Sequence, residues 1–180
     1  MEGILGLVLA DKCGDMELVD KARAGNSSAF DSLFHRHKQM IFNVCLGILG
    51  SREDAVDAAQ CTFVQAYKSL HTFKGQSSLQ TWLYRIAVNT SIGVTRKQKR
   101  RSECVLESEA PDMGKPCDDR VWEAMFEMSS DLRAVLVLFY FQGLSGRELS
   151  EALGCSEGTA RTRLHRARQI FKEKYEEVGK

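Results

Sequence analysis

Two runs of cationic side chains carry most of the chemistry that this 180-residue sequence can offer. One is Arg161, Arg163, Arg166 and Arg168, with His165 among them. The other is Arg96-Lys97-Gln98-Lys99-Arg100-Arg101, five basic residues in six. A guanidinium presents a planar fork of donors that matches phosphate oxygens and the major-groove edge of guanine. Clustered Lys and Arg also gain affinity for nucleic acid by releasing its counterions. The formal net charge is only +1, so the chain has no global basic field and any such binding is local to these runs. The bland alternative for each run is a solvated surface.

The residues before the first run decide between these readings. Ser145 can cap a helix, with Glu148 three residues on to complete a capping box. Leu149, Ala152 and Leu153 give that helix one apolar side, and Gly154 can take the positive φ that ends it. Ser156 can cap a second helix, whose sparse apolar positions are Thr159, Ala160, Leu164 and Ala167. The remaining surface of the second helix is polar and cationic. Cap, glycine turn, second cap and arginine run in this order predict a helix-turn-helix whose second helix enters the major groove. An ordinary helical hairpin would not need all four.

The rest of the chain reads as helical. Hydrophobic residues are 43% and charged residues 27%, a globular balance, and the only prolines are Pro111 and Pro116. Asp15 can cap a short helix from Met16 to Ala24, ended by Gly25, and Ser27 or Ser28 can cap the next. Phe30, Leu33, Phe34, Ile41, Val44, Cys45 and Ile48 form the stripe of a buried helical face. Gly50 ends that helix, and Ser51 opens a third lined by Ala55, Ala59, Thr62, Phe63, Ala66, Tyr67 and Leu70. The outer side of this third helix carries Glu53, Asp54, Asp57, Gln60, Gln65 and Lys68. Residues 71–78 are a loop, and Ser77 with Gln80 can cap a fourth helix built on Trp82, Leu83, Ile86 and Ala87, which runs into the second basic run. Residues 102–119 hold both prolines and six acids, without helical period, and read as a flexible acidic linker. Beyond it, Val121, Trp122, Met125, Phe126 and Met128 begin one helix. Leu132, Val135, Leu136, Leu138, Phe139 and Phe141 continue in another, ended by Gly143. The expected fold is all-α: two small helical domains, 15–101 and 120–180, after a tail of residues 1–14.

Several functions find no support. Cys13, Cys45, Cys61, Cys104, Cys117 and Cys155 form no Cys-x-x-Cys pair and no zinc spacing with a His pair. No metal or cofactor is expected, and scattered cysteines suit a reducing cytoplasm. The opening Met-Glu-Gly-Ile-Leu-Gly-Leu-Val-Leu-Ala lacks a basic n-region and fails the secretory template. No run is long enough to span a membrane. There is no nucleophile elbow or phosphate loop, so no catalytic residue is expected, and His35, His37, His71 and His165 show no acid/base partner. A stand-alone helix-turn-helix regulator remains the main alternative, although no heptad seam for dimerisation is present.

Three blocks of sequence resemble the bacterial extracytoplasmic-function sigma factors. They are Ser51-Arg-Glu-Asp-Ala-Val-Asp-Ala-Ala-Gln-Cys-Thr-Phe-Val-Gln-Ala-Tyr67, then Phe73-Lys-Gly75 with Thr81-Trp-Leu-Tyr-Arg-Ile-Ala-Val-Asn89, and Leu132-Arg-Ala-Val-Leu136 with Gly143-Leu-Ser145 and Gly158-Thr-Ala-Arg-Thr-Arg163. Their order and spacing cover nearly the whole chain.

The resemblance implies a role for each block. Asp57 and Gln60, with Tyr67 beside them, would dock on core RNA polymerase. Lys74, Gly75, Gln76 and Ser77 would hold a flipped-out base of the minus-ten promoter element. Arg85, Asn89, Arg96 and Lys97 would guide melted DNA. Ser156, Glu157, Gly158, Thr159, Arg161 and Arg163 would meet the minus-thirty-five element, with Arg166 and Arg168 on phosphates. The linker would thread the RNA exit channel. The implied partners are core polymerase, promoter DNA and an anti-sigma factor, and the implied role is promoter-specific initiation in a stress or envelope response. Three positions depart from the family pattern: Cys61 where Glu is usual, Gly93 near a usual Asp, and Ala160 for a common Val.

Overall fold

The computed structural model describes residues 14–101 and 119–179. The expected linker, apart from Asp119, and the expected tail, apart from Gly14, lie outside the described residues. Among those residues the secondary structure is helical throughout, with no strand. Helix α1 covers residues 14–23, α2 is Ser27–Leu49 and α3 is Arg52–Ser69. A 3-10 turn, Leu70–Thr72, leads to a loop and then to α4, Leu79–Arg101. After the gap come α5, Asp119–Phe126, and α6, Ser130–Leu136, which continues into a π turn, Val137–Phe141. Helices α7, Gly146–Leu153, and α8, Glu157–Val178, complete the chain.

Helices α2, α3 and α4 pack on one another around Ile41, Val44, Ile48, Ala55, Phe63, Leu83 and Ala87, all buried. The small residues on α3 let the three axes approach closely. Helices α5 and α6 pack on α8 around Trp122, Met125, Leu138 and Leu164, and α7, with Leu149 and Ala152 buried, packs on α8 and on α4.

Three helix starts differ from the sequence expectation. Asn26, not Ser27 or Ser28, caps α2: its backbone is extended and its side chain accepts from the Ala29 N–H at 3.2 Å. Ser78, not Ser77, caps α4 by accepting from Thr81 N–H at 3.1 Å, while the Ser77 hydroxyl donates to the Ser78 carbonyl. Asp15 lies inside α1 and is buried. Its carboxylate meets the Arg36 guanidinium and, at 2.8 Å, His37 Nε2, so His37 does have an acid partner. Burial pushes the Asp15 carboxyl up, but hydrogen bonds and charge from His37 and Arg36 outweigh it and hold the group below the usual carboxylate range. The pairing spans more than twenty residues and leaves no local mark in the sequence. Gly93 does not break α4, whose helix runs unbroken through it.

The two helical groups pack against each other. Gly47 lies so close to the π turn that an added Cβ would sit 3.0 Å from Val137 Cγ2. Gly50, at φ 77°, caps α2, and a Cβ there would meet the Phe126 ring at 2.6 Å. Arg133 is buried and bridges the groups. It donates to the carbonyls of Met125 at 2.8 Å, of Phe126 and Met128 at 2.9 Å, and of Ile48 at the end of α2. Burial lowers its guanidinium to about 10, still protonated at neutral pH. Tyr84 on α4 donates to Gln142 Oε1 at 3.0 Å, and Thr95 donates to Ser130 Oγ at 3.0 Å.

Candidate nucleic-acid interface

The helix-turn-helix forms from its own local chemistry. Ser145 accepts from the Glu148 N–H while the Glu148 carboxylate accepts from the Ser145 N–H at 3.0 Å, a closed capping box. Gly154 takes φ 63° and turns the chain. Ser156 caps α8 by accepting from the Thr159 N–H at 3.2 Å. Ala160, Leu164 and Ala167 are buried, so α8 rests on a stripe one residue wide. The 3.6-residue period places Gly158, Thr162 and His165 directly opposite that stripe, with Arg161 on one flank and Thr159, Arg163 and Arg166 on the other. All of these are exposed. Thr162 and His165 are not among the residues expected at DNA, although His165 stands in the basic run and the period alone is enough to place both on this side. Ala160 is buried at 1% exposure, so the smaller side chain still seals the helix contact.

Arg168 leaves this row. Its Nε donates to Tyr140 Oη at 2.9 Å, and its guanidinium stacks over the rings of Phe139 and Tyr140 at 5.2 and 5.6 Å. It lines an apolar groove of about 320 Å³ with Val121, Met125, Leu136, Tyr140, Phe141 and Phe171. The π turn carries Tyr140 to this position, and sequence periodicity carries no signal for such a turn.

Lys74, Gly75 and Gln76 are exposed on the loop after Phe73, and Ser77 is half-buried. Gly75 takes φ 69°. Phe73 is buried and packs on Trp82 with ring centroids 5.1 Å apart, which anchors the loop at its base. On α4, Arg85, Asn89, Gly93, Arg96 and Arg100 recur at intervals of three and four and share one exposed side. Arg96 reaches Asp131 at 3.4 Å, and both side chains are more than half exposed, so the pair adds little stability.

The face of α3 bearing Asp57 and Gln60 is also apolar. Among the described residues, the exposed large hydrophobics are Met16, Val56, Val64, Tyr67 and Tyr140, and three of these five lie on that face. Tyr67 is 57% exposed yet oriented by an edge contact with Phe30. Cys61 is exposed on the same face. An exposed apolar patch rimmed by Asp and Gln is the composition of a protein-docking surface. The sequence expectation had counted Tyr67 on the inner side as well as at the docking face, and it missed Val56 and Val64 because they interrupt a polar stripe.

Loop and helix-turn-helix face each other. Gln76, Ser77, Trp82 and Arg85 form one wall of a cleft of about 560 Å³, and Ser150, Glu151, Gly154, Cys155 and Ser156 form the other. The Arg85 guanidinium lies against Gly154, 3.1 Å from where a Cβ would stand. Among the described residues there is no His/Cys/Asp/Glu group that could hold a metal, and no helix is long and apolar enough to cross a membrane.

A helix-turn-helix with a cationic helix, beside an exposed loop and an exposed apolar face on α3, is the outline of a DNA-binding protein. Residues 33–101 match the family model for sigma-70 region 2, and residues 118–170 match that for sigma-70 region 4. The chain is 30% identical to the ECF RNA polymerase sigma-E factor of Haemophilus influenzae, over 92% of this chain and 97% of that one. It is 27% identical to ECF sigma factor SigW of Bacillus subtilis, over 89% and 96%. Among solved structures, CnrH in complex with the cytosolic domain of CnrY superposes with a TM-score of 0.66 at 25% identity, covering 89% of this chain and 96% of that one. RpoE of Bartonella quintana, in complex with the anti-sigma factor NepR, shares the fold with a TM-score of 0.67 at 23% identity, over 82% and 96%. The chain belongs to the ECF RNA polymerase sigma factors. It directs promoter-specific transcription initiation with RNA polymerase, in a family whose members are non-catalytic initiation factors.

Proposed function

We propose that the sigma-factor work divides between the two helical groups. Residues 14–101 dock on core polymerase through Asp57, Gln60 and Tyr67 and hold the minus-ten element with Lys74, Gly75, Gln76 and Ser77. Arg85, Asn89, Arg96 and Lys97 then line the path of the melted strand. Residues 119–179 read the minus-thirty-five element through Ser156, Glu157, Gly158, Thr159, Arg161 and Arg163, with Arg166 on phosphate. Thr162 and His165 join them on the outermost line of α8, and Arg168 supports the domain from the Tyr140 groove.

The observation that carries the docking assignment is the α3 face, where Val56, Val64 and Tyr67 are exposed beside Asp57 and Gln60. Asp57→Ala with Gln60→Ala should weaken binding to core polymerase about tenfold or more at unchanged thermal stability, because hot-spot contacts typically exceed 1 kcal/mol each. Unchanged affinity in a titration against core enzyme would refute the face.

An anti-sigma protein is the second proposed partner. CnrH, similar over nearly its whole length, was solved in complex with a partner's cytosolic domain. Such a partner would meet this chain in the cytoplasm, where the polymerase acts. Co-purification of the chain from its host, followed by mass spectrometry, checks it. Recovery of polymerase subunits alone under non-inducing conditions would count against it.

A further inference from the structure

Arg23 lies on α1, outside every surface assigned above. Its Nε donates to the Leu70 carbonyl at 3.2 Å, and its Nη2 donates to the Phe73 carbonyl. These two carbonyls bracket the 3-10 turn Leu70–Thr72 at the end of α3, and the Leu70 carbonyl also accepts from the Phe73 N–H at 3.2 Å. Leu70 and Phe73 are each 4% exposed, so their side chains are sunk in the core while their carbonyls face α1. Lys74, Gly75 and Gln76 begin immediately after the second carbonyl.

A guanidinium is planar and rigid, so two of its donors set the separation of two acceptors. The fork is itself oriented, since Arg23 Nη1 lies 3.3 Å from Asp20 Oδ1. Helix α1 touches the loop a second time through Met16, whose Cε stands 3.3 Å from the position a Cβ would take on Gly75. The helix is pinned in turn by Val19, which is fully buried, and by the pairing of buried Asp15 with buried His37 and with the more exposed Arg36. The chain of contacts therefore runs from the core through α1 and Arg23 to the backbone at the base of the loop.

We propose that Arg23 is a positioning residue for minus-ten recognition: by clamping the Leu70 and Phe73 carbonyls it fixes the loop of residues 74–78 in the shape that selects the flipped-out base. This rests on the reading of that loop as the base-holding element. Selection by a pocket needs its walls held to a fraction of an ångström, and a loop is the least precise place to build one unless other residues lock it.

Two measurements on the full chain test it. Hydrogen exchange should show the amides of residues 73–78 in Arg23→Ala exchanging about tenfold faster, as expected of local opening, with α3 amides and the melting temperature near wild type. Transcription with core polymerase, on promoters randomised over the minus-ten element, should show the base preference flattened by about tenfold, within the range of a good base contact. Affinity for core polymerase should stay unchanged. Arg23→Lys, which reaches one carbonyl but not both, should fall between wild type and Arg23→Ala in both assays. Unchanged loop exchange in Arg23→Ala overturns the proposal, and so does an equal loss for all promoters accompanied by weaker polymerase binding. Lys74→Ala and Gln76→Ala run on the same library separate the two readings. If they change the base preference while Arg23→Ala does not, the role of Arg23 is wrong and the base-holding loop stands. If they leave it unchanged, the base-holding loop is wrong and the role of Arg23 falls with it.

Discussion

From Ser145 to Thr159 the backbone is shaped by contacts only a few residues long: Ser145 with Glu148, Cys155 N–H to the Ser150 carbonyl, Ser156 with Thr159. From Leu70 to Ser78 local bonds are joined by contacts from far along the chain. Arg23 reaches across 50 residues to the Phe73 carbonyl, and Met16 lies against Gly75. The turn of the helix-turn-helix is thus set by local caps, while α7 and α8 pack on each other and α7 also on α4. The base of the loop is also held by a separate helix, α1. A capped helix presents side chains from a rigid backbone and suits reading a duplex groove. A braced loop can enclose a single unstacked base, whose extrusion costs a few kcal/mol.

The two regions also share one cleft here, with Arg85 against Gly154.

Four experiments would break or sharpen this contrast, the largest effect first. Arg133→Met should cost about 4 kcal/mol in urea unfolding, because four buried carbonyls lose a charged donor at once. A loss under about 1 kcal/mol would show that the bridge between the groups is dispensable.

Gly50→Ala should cost about 2 kcal/mol, combining the left-handed backbone with displacement of Phe126, and should enlarge the scattering radius of the free protein. Gly143, at φ 70°, has nothing within 4 Å of the position a Cβ would take, so Gly143→Ala isolates the backbone cost alone. Equal losses at the two positions would mean that the α2–α5 contact is soft.

Arg161→Ala should lose about 1–3 kcal/mol of discrimination on promoters randomised over the minus-thirty-five element. Arg166→Ala should weaken all promoters alike and reduce the salt slope by about 1. Arg168→Ala should instead lower thermal stability and leave the salt slope intact, since its guanidinium is held by Tyr140 and Phe139. A reduced salt slope for Arg168→Ala would return that residue to the phosphate row.

The smallest effect concerns Asp15. Its folded-state pKa is depressed below the ordinary 3.8, so its pairing stabilises α1 above that value and is lost as pH falls through the depressed one. Acidification through this range should speed hydrogen exchange in α1 and in the loop it braces, by an amount of order 1 kcal/mol, while α7 and α8 stay protected. Asp15→Asn should abolish this pH dependence. Simultaneous loosening of α8 would argue that the two regions are not independently supported.

Helix number, the glycine stops at Gly25, Gly50 and Gly154, the capping box and the basic side of α8 were all legible in the sequence. Each depends on residues within about one turn, where propensity and side-chain reach act alone. The exposed face of α3 was half legible: Asp57 and Gln60 follow the helical period, whereas the exposure of Val56 and Val64 depends on which sides of α3 the neighbouring helices cover. Only the tertiary structure decided that Asp15 pairs with Arg36 and His37, that Arg168 turns to Tyr140, that Arg133 ties α2 to α5 and α6, and that Arg23 clamps the base of the loop. These contacts join residues distant in sequence, and their energies depend on burial that exists only after the helices have packed.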